Sequence, residues 1–281
     1  MLDFIMGNTW WLLSFLTLGA CVGFIAGLLG VGGGAVMVPI LTSLFLAMGI
    51  ETERVLHLAL GTSMMAIVIT SFSSAKAHYK HKVIRWDLAK RLAPGVIIGT
   101  GLGIFFVGQI NAKILSFFFS IFVLIISYGL FFSSRKNRTD NVKNVMNPVP
   151  WCFSSGLIIG FVSALISIGG GSLTVPYLSH YRIAVSVAIA TSSAIGFVIS
   201  VTGSLAYIAL SGIDTLINED IPGALGYIYL PAALSIGLAS LSTAKYGAAL
   251  AHYLPEQKLK RAFSLLLAFL AVNMAWAILG T

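Results

Sequence analysis

Two glycine triplets are the residues of this sequence best suited to bind a ligand. Gly32, Gly33 and Gly34 form the first triplet, and Gly169, Gly170 and Gly171 form the second. Each lies in a long apolar run, and a proline follows five residues after each triplet, at Pro39 and Pro176. Glycine and proline interrupt helices, so a helix in either run must break at its triplet. A helix that resumes there begins with unpaired N–H groups that carry partial positive charge, and two such starts predict a site for a small anion.

The triplets belong to a segment that occurs twice. Residues 23–41 and 160–178 match at an offset of 137, with nine identical positions. A second interpretation of the triplets is that they only allow two helical hairpins to cross closely. Packing alone would be satisfied by alternating small residues, so three consecutive glycines favour the ligand-binding interpretation.

Four hydroxyl side chains repeat in the helices that follow the triplets. Thr62 and Ser63 match Thr191 and Ser192 at an offset of 129. Hydroxyl groups are neutral hydrogen-bond donors, so these side chains are candidates to complete the anion site. The alternative, equally favoured for each of them, is a hydrogen bond to a carbonyl group of its own helix.

Two arginines and one histidine lie near the ends of the repeated segments. Arg54 and Arg182 occur where each hairpin gives way to the next helix, so they are candidates to attract anions at two entrances. The alternative, slightly favoured, is that they extend to the membrane interface. His57 follows Arg54 at one of these entrances and is a further candidate for gating, but a packed core residue is favoured over a proton carrier. His78 and His81 are spaced like metal ligands but lack further partners, so neither a metal nor a cofactor is predicted.

The composition predicts a membrane protein with several helical spans. Apolar residues make up 58% of the chain, charged residues only 9%, and the mean hydropathy is +0.96. The net charge of +8 comes mainly from three clusters, with six of the 17 basic residues in 76–91, four in 135–143 and four in 245–261. Basic clusters between apolar spans mark cytoplasmic loops, so the charge does not indicate a nucleic-acid partner.

The predicted fold is all-α with two repeats of opposite orientation. Residues 1–132 form the first repeat, 133–149 a cytoplasmic linker, and 150–281 the second repeat. Each repeat is expected to contain one glycine-tipped helical hairpin and three transmembrane helices, an odd number of crossings that inverts the second copy. Both termini are then outside the cell. Two further sets of glycines spaced by four predict close helix packing: Gly19, Gly23 and Gly27, and Gly95, Gly99 and Gly103.

The expected function is transport of a small anion out of the cell by alternating access. The predicted spans contain no carboxylate of the kind that proton and sodium relays use. Anion export needs none, because the membrane potential contributes about 2.3 kcal/mol per charge per 100 mV. A passive anion channel is the alternative, and the absence of His-Glu-x-x-His and Gly-x-Ser-x-Gly motifs argues against a hydrolase. The sequence leaves open whether the protein forms a homodimer.

The doubled motif Gly-Phe-x-x-x-Leu-x-x-x-Gly-Gly-Gly-x-x-x-Val-Pro resembles the TauE/SafE family of sulfite and organosulfonate exporters. The Gly-Thr-Ser at 61–63, the Ala-Thr-Ser-Ser at 190–193 and the late segments 247–252 and 259–263 are also similar to that family. The resemblance covers residues 10–280 and implies a carrier of the bacterial inner membrane that exports sulfite, sulfoacetate or a similar anion. The chain departs from the expected pattern at Ser167, where the first copy has Gly30, and at Tyr253.

Overall fold

The computed structural model describes residues 2–29, 33–80, 82–132, 152–181, 183–211, 221–251 and 256–279. Several residues named in the sequence analysis lie outside these ranges. They are Gly30, Gly32, His81, Arg182, Tyr253 and the linker at 133–149.

The described residues form ten helices and one short β-ribbon. The first half contains α1 (Leu2–Leu29), α2 (Gly34–Ala47), α3 (Thr52–Lys80), α4 (Trp86–Gly108) and α5 (Ala112–Phe131). The second half contains α6 (Cys152–Ile166), α7 (Gly171–His180), α8 (Val185–Leu210), α9 (Leu230–Ala251) and α10 (Glu256–Leu279). Strands β1 (Ala224–Leu225) and β2 (Ile228–Tyr229) pair antiparallel between α8 and α9. The prediction of an all-α protein is confirmed apart from this ribbon.

Five of these helices contain apolar segments long enough to cross a membrane. The segments are Thr9–Gly27, Thr52–Tyr79, Trp86–Gly108, Ala112–Gly129 and Val187–Leu210. Shorter apolar segments occupy Gly34–Ala47, Cys152–Ile166 and Arg261–Ala277. A segment of 18 or more apolar residues is typical of a transmembrane helix, so the chain is a multi-pass membrane protein.

The helices are longer than their apolar parts. The sequence predicts a basic loop at 76–91, but α3 continues to Lys80 and α4 already begins at Trp86. Lysine, arginine and alanine are good helix formers, so a helix continues beyond its apolar part without a change in conformation. Hydropathy marks only the part of the helix that lipid would cover, which explains why the predicted loop is too long.

The glycines spaced by four bring two pairs of helices into backbone contact. On α1, Gly19, Gly23 and Gly27 face Ile236, Ser240 and Ala244 of α9. On α4, Gly95, Gly99 and Gly103 face Phe153, Leu157 and Phe161 of α6. Residue numbers rise together in both pairs, so α1 runs parallel to α9 and α4 parallel to α6. The predicted close packing is confirmed, because a side chain at most of these glycines would overlap backbone atoms of the facing helix.

Two further central contacts join helices that occupy the same place in the two halves. On α3 and α8, Gly61 lies beside Tyr207, while the rings of Phe72 and Phe197 are 5.6 Å apart. Residue numbers rise on one helix as they fall on the other, so α3 and α8 are antiparallel. On α5 and α10, hydrogen bonds from the Ser120 hydroxyl to the Ala271 carbonyl and from the Ser127 hydroxyl to the Ser264 carbonyl give the same antiparallel direction.

Two glycines of α4 allow a matched test of this packing. Replacing Gly99 by alanine should lower the free energy of unfolding by about 1–3 kcal/mol, because the new methyl group overlaps the Leu157 backbone. Gly101→Ala is the control, since a Cβ there meets no atom within 4 Å, and it should leave stability unchanged or raise it. Thermal unfolding of the purified protein in detergent measures both. Equal melting temperatures for the two variants would contradict the proposed packing.

Candidate functional site

The two glycine breaks meet each other inside the protein. A Cβ atom at Gly34 would overlap the Ser167 carbonyl oxygen, so the backbone of the first hairpin touches the backbone of the second at this point. Both residues are buried. We call the residues around these breaks the tips, with Gly33 and Gly34 in the first tip and residues 167–171 in the second.

The tips lie halfway along two spanning helices. Ile67, in the middle of α3, lies 3.2 Å from a Cβ at Gly34 and 2.8 Å from a Cβ at Gly169. On α8, Gly196 faces the Gly169 carbonyl and Ile199 lies beside Gly170, again near the middle of the helix. Irregular backbone at such a depth is tolerated only where protein or a wet cavity covers it. The two tips and the two helices provide that cover.

Both helices resume at the predicted residues. Helix α2 begins at Gly34 after Gly33, which has φ −66° and ψ −1°. Helix α7 begins at Gly171 after Gly170, which has φ 71° and ψ −19°, a left-handed conformation that glycine adopts without strain. The N–H groups of Leu173 and Thr174 donate to the Gly170 carbonyl and make the first hydrogen bonds of the helix. The N–H groups of residues 171 and 172 come before these bonds and have no partner within the helix.

Ser63 and Ser167 connect the second tip to α3. Their hydroxyl oxygens are 2.5 Å apart, and each lies 2.9 Å from the Leu60 carbonyl oxygen. Three oxygen atoms thus share two hydroxyl protons in a fully buried cluster. The cluster explains why the second copy has serine where the first has Gly30. The serine accepts an unfavourable φ of 49° in exchange for two hydrogen bonds.

Thr62 and Thr191 occupy equivalent anchoring positions. The Thr62 hydroxyl accepts the Tyr229 N–H at 2.9 Å, and the Thr191 hydroxyl accepts the Arg85 N–H at 3.1 Å. Tyr229 and Arg85 immediately precede α9 and α4. Each threonine therefore satisfies a backbone donor at a helix start.

Three of the four hydroxyls also make the bond that the alternative interpretation expects. The Ser63 hydroxyl donates to the Leu60 carbonyl of its own helix at 2.9 Å. The Thr191 hydroxyl donates to the Val187 carbonyl at 2.7 Å, and Ser192 donates to the Ile189 carbonyl at 2.9 Å. Of the four, Ser63 lies at a tip through its contact with Ser167. The role of all four in anion binding stays a prediction.

His57 and Arg54 lie near one end of α3. The His57 residue is 7% exposed, and its Nε2 atom is 3.2 Å from the Val107 carbonyl oxygen. Its ring centroid is 5.4 Å from that of Tyr227, with the two rings tilted by 39°. It is thus packed as expected for a core histidine. The Arg54 side chain is half-exposed, and its Nε atom is 3.6 Å from a Glu51 carboxylate oxygen.

Arg54 lines a cavity of about 620 Å³, which we call the Arg54 cavity. It lies between the start of α1, the turn from α2 to α3, and the residues around the start of α9. Phe15 and Tyr229 contribute to its wall, and with Phe45 they form a cluster of three rings in edge-to-face contact, with centroids 5.8–6.2 Å apart. We call these three residues the aromatic cluster.

Three buried hydroxyls flank the second tip, and sequence analysis did not single them out. Ser163 lies one turn before the tip, and Ser172 and Thr174 lie in the first turn of α7. None of them has a hydrogen-bond partner among the residues that the structure describes. The Thr174 oxygen would lie 3.7 Å from a Cβ at Gly170. A comparison of the two repeats could have found them, because the first copy has Ala26, Ala35 and Met37 in their places.

Comparison with known proteins identifies the family. Residues 15–274 match the family model described as "Sulfite exporter TauE/SafE". The chain belongs to the TauE/SafE family. The resemblance found in the sequence is therefore confirmed. Within the described ranges of this TauE/SafE protein, no group of three His, Cys, Asp or Glu side chains could hold a metal ion.

Relatives of this TauE/SafE protein carry the name of transporters. A "Probable membrane transporter protein" of Haemophilus influenzae is 34% identical over 94% of this chain and 97% of its own length. A protein with the same designation from Methanocaldococcus jannaschii is 28% identical over 82% of this chain and 82% of its own length. Another from Bacillus subtilis is 28% identical over 71% of this chain and 79% of its own length. No solved structure matches the chain. The family and these relatives indicate a membrane transporter.

Substitutions at Ser167 test how the second tip is held. Ser167→Ala should lower the free energy of unfolding by about 1–2 kcal/mol, because the bonds to Leu60 and Ser63 are lost. Ser167→Gly should lose less, since glycine relieves the positive φ. Ser163→Ala is the control, because its hydroxyl has no partner among the described residues, and it should not destabilise the protein. Thermal unfolding of the purified variants gives the order of their stabilities. If Ser167→Ala is as stable as the wild type, the anchoring role of Ser167 is contradicted.

Proposed function

We propose that this protein is a secondary transporter that exports a small sulfur-containing anion, such as sulfite, sulfoacetate or a similar organosulfonate. The anion would bind between the two tips and be released by alternating access. One observation carries this proposal: two glycine breaks touch backbone to backbone halfway along α3 and α8. A membrane protein that needed the two hairpins only for rigid packing would have continuous helices in place of the breaks, because a break leaves backbone groups without hydrogen bonds in lipid.

The chemistry of the tips favours an anion. The first N–H groups of α2 and α7 are unpaired within their helices and carry partial positive charge. At the second tip, the buried hydroxyl groups of Ser172 and Thr174 have no partner among the described residues. All of these are neutral donors, so they could hold an oxyanion without a buried arginine or lysine. The sulfur chemistry is supported by the description of the family, "Sulfite exporter TauE/SafE".

We propose that the two halves are inverted repeats. The antiparallel directions of α3 with α8 and of α5 with α10 support this, because these helices occupy equivalent places in the two halves. The pairing of α1 with α9 and of α4 with α6 gives further support, since exchange of the halves converts one pair into the other. Inverted repeats of secondary transporters bind their substrates near the midplane, where broken helices meet.

The orientation follows from the charges. Exposed basic side chains gather where α3 ends and α4 begins, and they include Lys76, Lys82, Lys90 and Arg91. The positive-inside rule would place this end in the cytoplasm of a bacterial inner membrane and both termini outside. The opposite end, with the Arg54 cavity, would then face outwards.

Alternating access requires that one side of the site be closed. The Arg54 cavity and the aromatic cluster suggest how the outer side closes, because Phe15 and Tyr229 lie in the wall of the cavity and pack with Phe45. Edge-to-face ring pairs are individually weak, at about 0.5–1.5 kcal/mol beyond area burial, so such a contact can open during transport. We propose that the cavity is the outer vestibule and that the rings separate when the anion leaves.

Sulfite efflux from vesicles tests the proposal. Loaded vesicles that contain the wild-type protein should release sulfite at a rate that saturates with its concentration. Gly33→Val and Gly170→Val should abolish release while the protein still inserts, because the new side chains fill the tips. Gly129→Val is the control, since a Cβ at Gly129 in α5 meets no atom within 4 Å, and it should retain release. Flux that never saturates would indicate the alternative, a passive channel, and normal release by both valine variants would remove the tips from the mechanism.

Labelling from the two sides of the membrane tests the inverted repeats. In a variant with Cys21 and Cys152 replaced by serine, single cysteines at Lys80 and Asn218 should react from opposite sides with a reagent that does not cross the bilayer. The basic end of α3 should be cytoplasmic, and the acidic segment before α9 should be external. Labelling of both positions from the same side would mean that the halves are parallel.

A further inference from the structure

The two tips carry different side chains at the same position. Gly33 and Gly170 are equivalent at the repeat offset of 137, as are Met37 and Thr174. A Cβ at Gly33 would lie 3.6 Å from the Met37 methyl carbon, and a Cβ at Gly170 would lie 3.7 Å from the Thr174 hydroxyl oxygen. One turn into each resumed helix, the first tip therefore presents a methyl group and the second tip a hydroxyl group.

The same difference recurs next to these positions. Ser172 of the second half corresponds to Ala35 of the first, and Ser163 corresponds to Ala26. Thr174 is 0% exposed, and its oxygen has no hydrogen-bond partner among the residues described. A buried hydroxyl without a partner is destabilising, so an unpaired donor beside a helix start is best explained by a ligand that accepts its hydrogen bond.

The first tip has an apolar surface instead of hydroxyl groups. Ala35 and Met37 are both buried, at 2% and 1% exposure, and Val22 lies against Gly33. An apolar surface of this kind excludes water and gains free energy by covering carbon rather than oxygen. Methionine is also flexible, so it can adapt its shape to a small apolar group.

We propose that the site is polarised, with Thr174 and Ser172 binding the oxyanion head of the substrate and Met37 packing against its carbon tail. The inference rests on the proposed function and adds an orientation to it. The contact between Gly34 and Ser167 brings the two tips together, so one small ligand can touch both when the tips part. The ligand class is then an anion with an oxyanion head and a short apolar tail, in preference to an inorganic oxyanion that has no tail.

Binding of two anions to the purified protein tests this assignment. Isothermal titration in detergent would measure the affinity for propane-1-sulfonate, which has a tail, and for sulfite, which has none. Thr174→Val should weaken both affinities about tenfold or more, because the head loses a hydroxyl donor, and Thr174→Ser should retain them. Met37→Thr should lower the affinity for propane-1-sulfonate about tenfold, because the tail loses its apolar partner. The affinity for sulfite, which has no tail, should stay unchanged or rise.

Thr42→Val provides the matched control. Thr42 is a buried threonine on α2 whose hydroxyl donates to the Val38 carbonyl of its own helix at 2.8 Å, so its loss should change neither affinity. If Thr174→Val does not fold, Thr174→Ala is compared with Thr174→Ser instead.

The outcomes separate the two proposals. Unchanged affinities in Thr174→Val, or in Thr174→Ala if that variant is used, would overturn the assignment of the head. An equal loss of affinity for both anions in Met37→Thr would overturn the assignment of the tail. In either case wild-type binding and saturable efflux would leave the proposed function standing. If the wild type binds neither anion and releases no sulfite from vesicles, both proposals fall.

Discussion

Broken backbone in a membrane must be covered by protein or by a wet cavity, and here each break covers the other. The contact between Gly34 and the Ser167 carbonyl is possible only because glycine has no side chain. Ser63 and Ser167 then tie the second tip to α3 through the Leu60 carbonyl. The positions of α2 and α7 depend on this meeting point, because each of these short helices begins there.

Close packing joins the first arm of each hairpin to a helix of the other half. Glycines spaced by four let α1 approach α9 and let α4 approach α6, so these pairs occupy less width than helices with larger side chains. In lipid there is little hydrophobic gain from bringing helices together, and dispersion contacts at short range supply the attraction instead. The same small residues thus stabilise the bundle and fix the position of each hairpin within it.

The two ends of the bundle share the same threonine anchors but differ in the side chains around them. Thr62 and Thr191 hold equivalent helix starts, but the residues that they hold differ in chemistry. Tyr229 adds its ring to the aromatic cluster beside the Arg54 cavity, whereas Arg85 pairs with Asp87 through two bonds of 2.8 and 2.6 Å. Duplication explains the shared anchors, and the difference in side chains gives the ends different surfaces. The contrast between Met37 and Thr174 at the tips follows the same principle.

The sequence by itself determined where the helices break, which segments are apolar enough to span, and which family the chain belongs to. These features depend on local preferences, such as the lack of a Cβ in glycine and the length of an apolar run. Only the tertiary structure decided that Thr62 serves a helix start, that Ser63 meets Ser167, and that Thr174 lacks a partner among the described residues. Such partners lie more than 100 residues apart in the chain, and the packing of whole helices, rather than any local pattern, decides whether they meet.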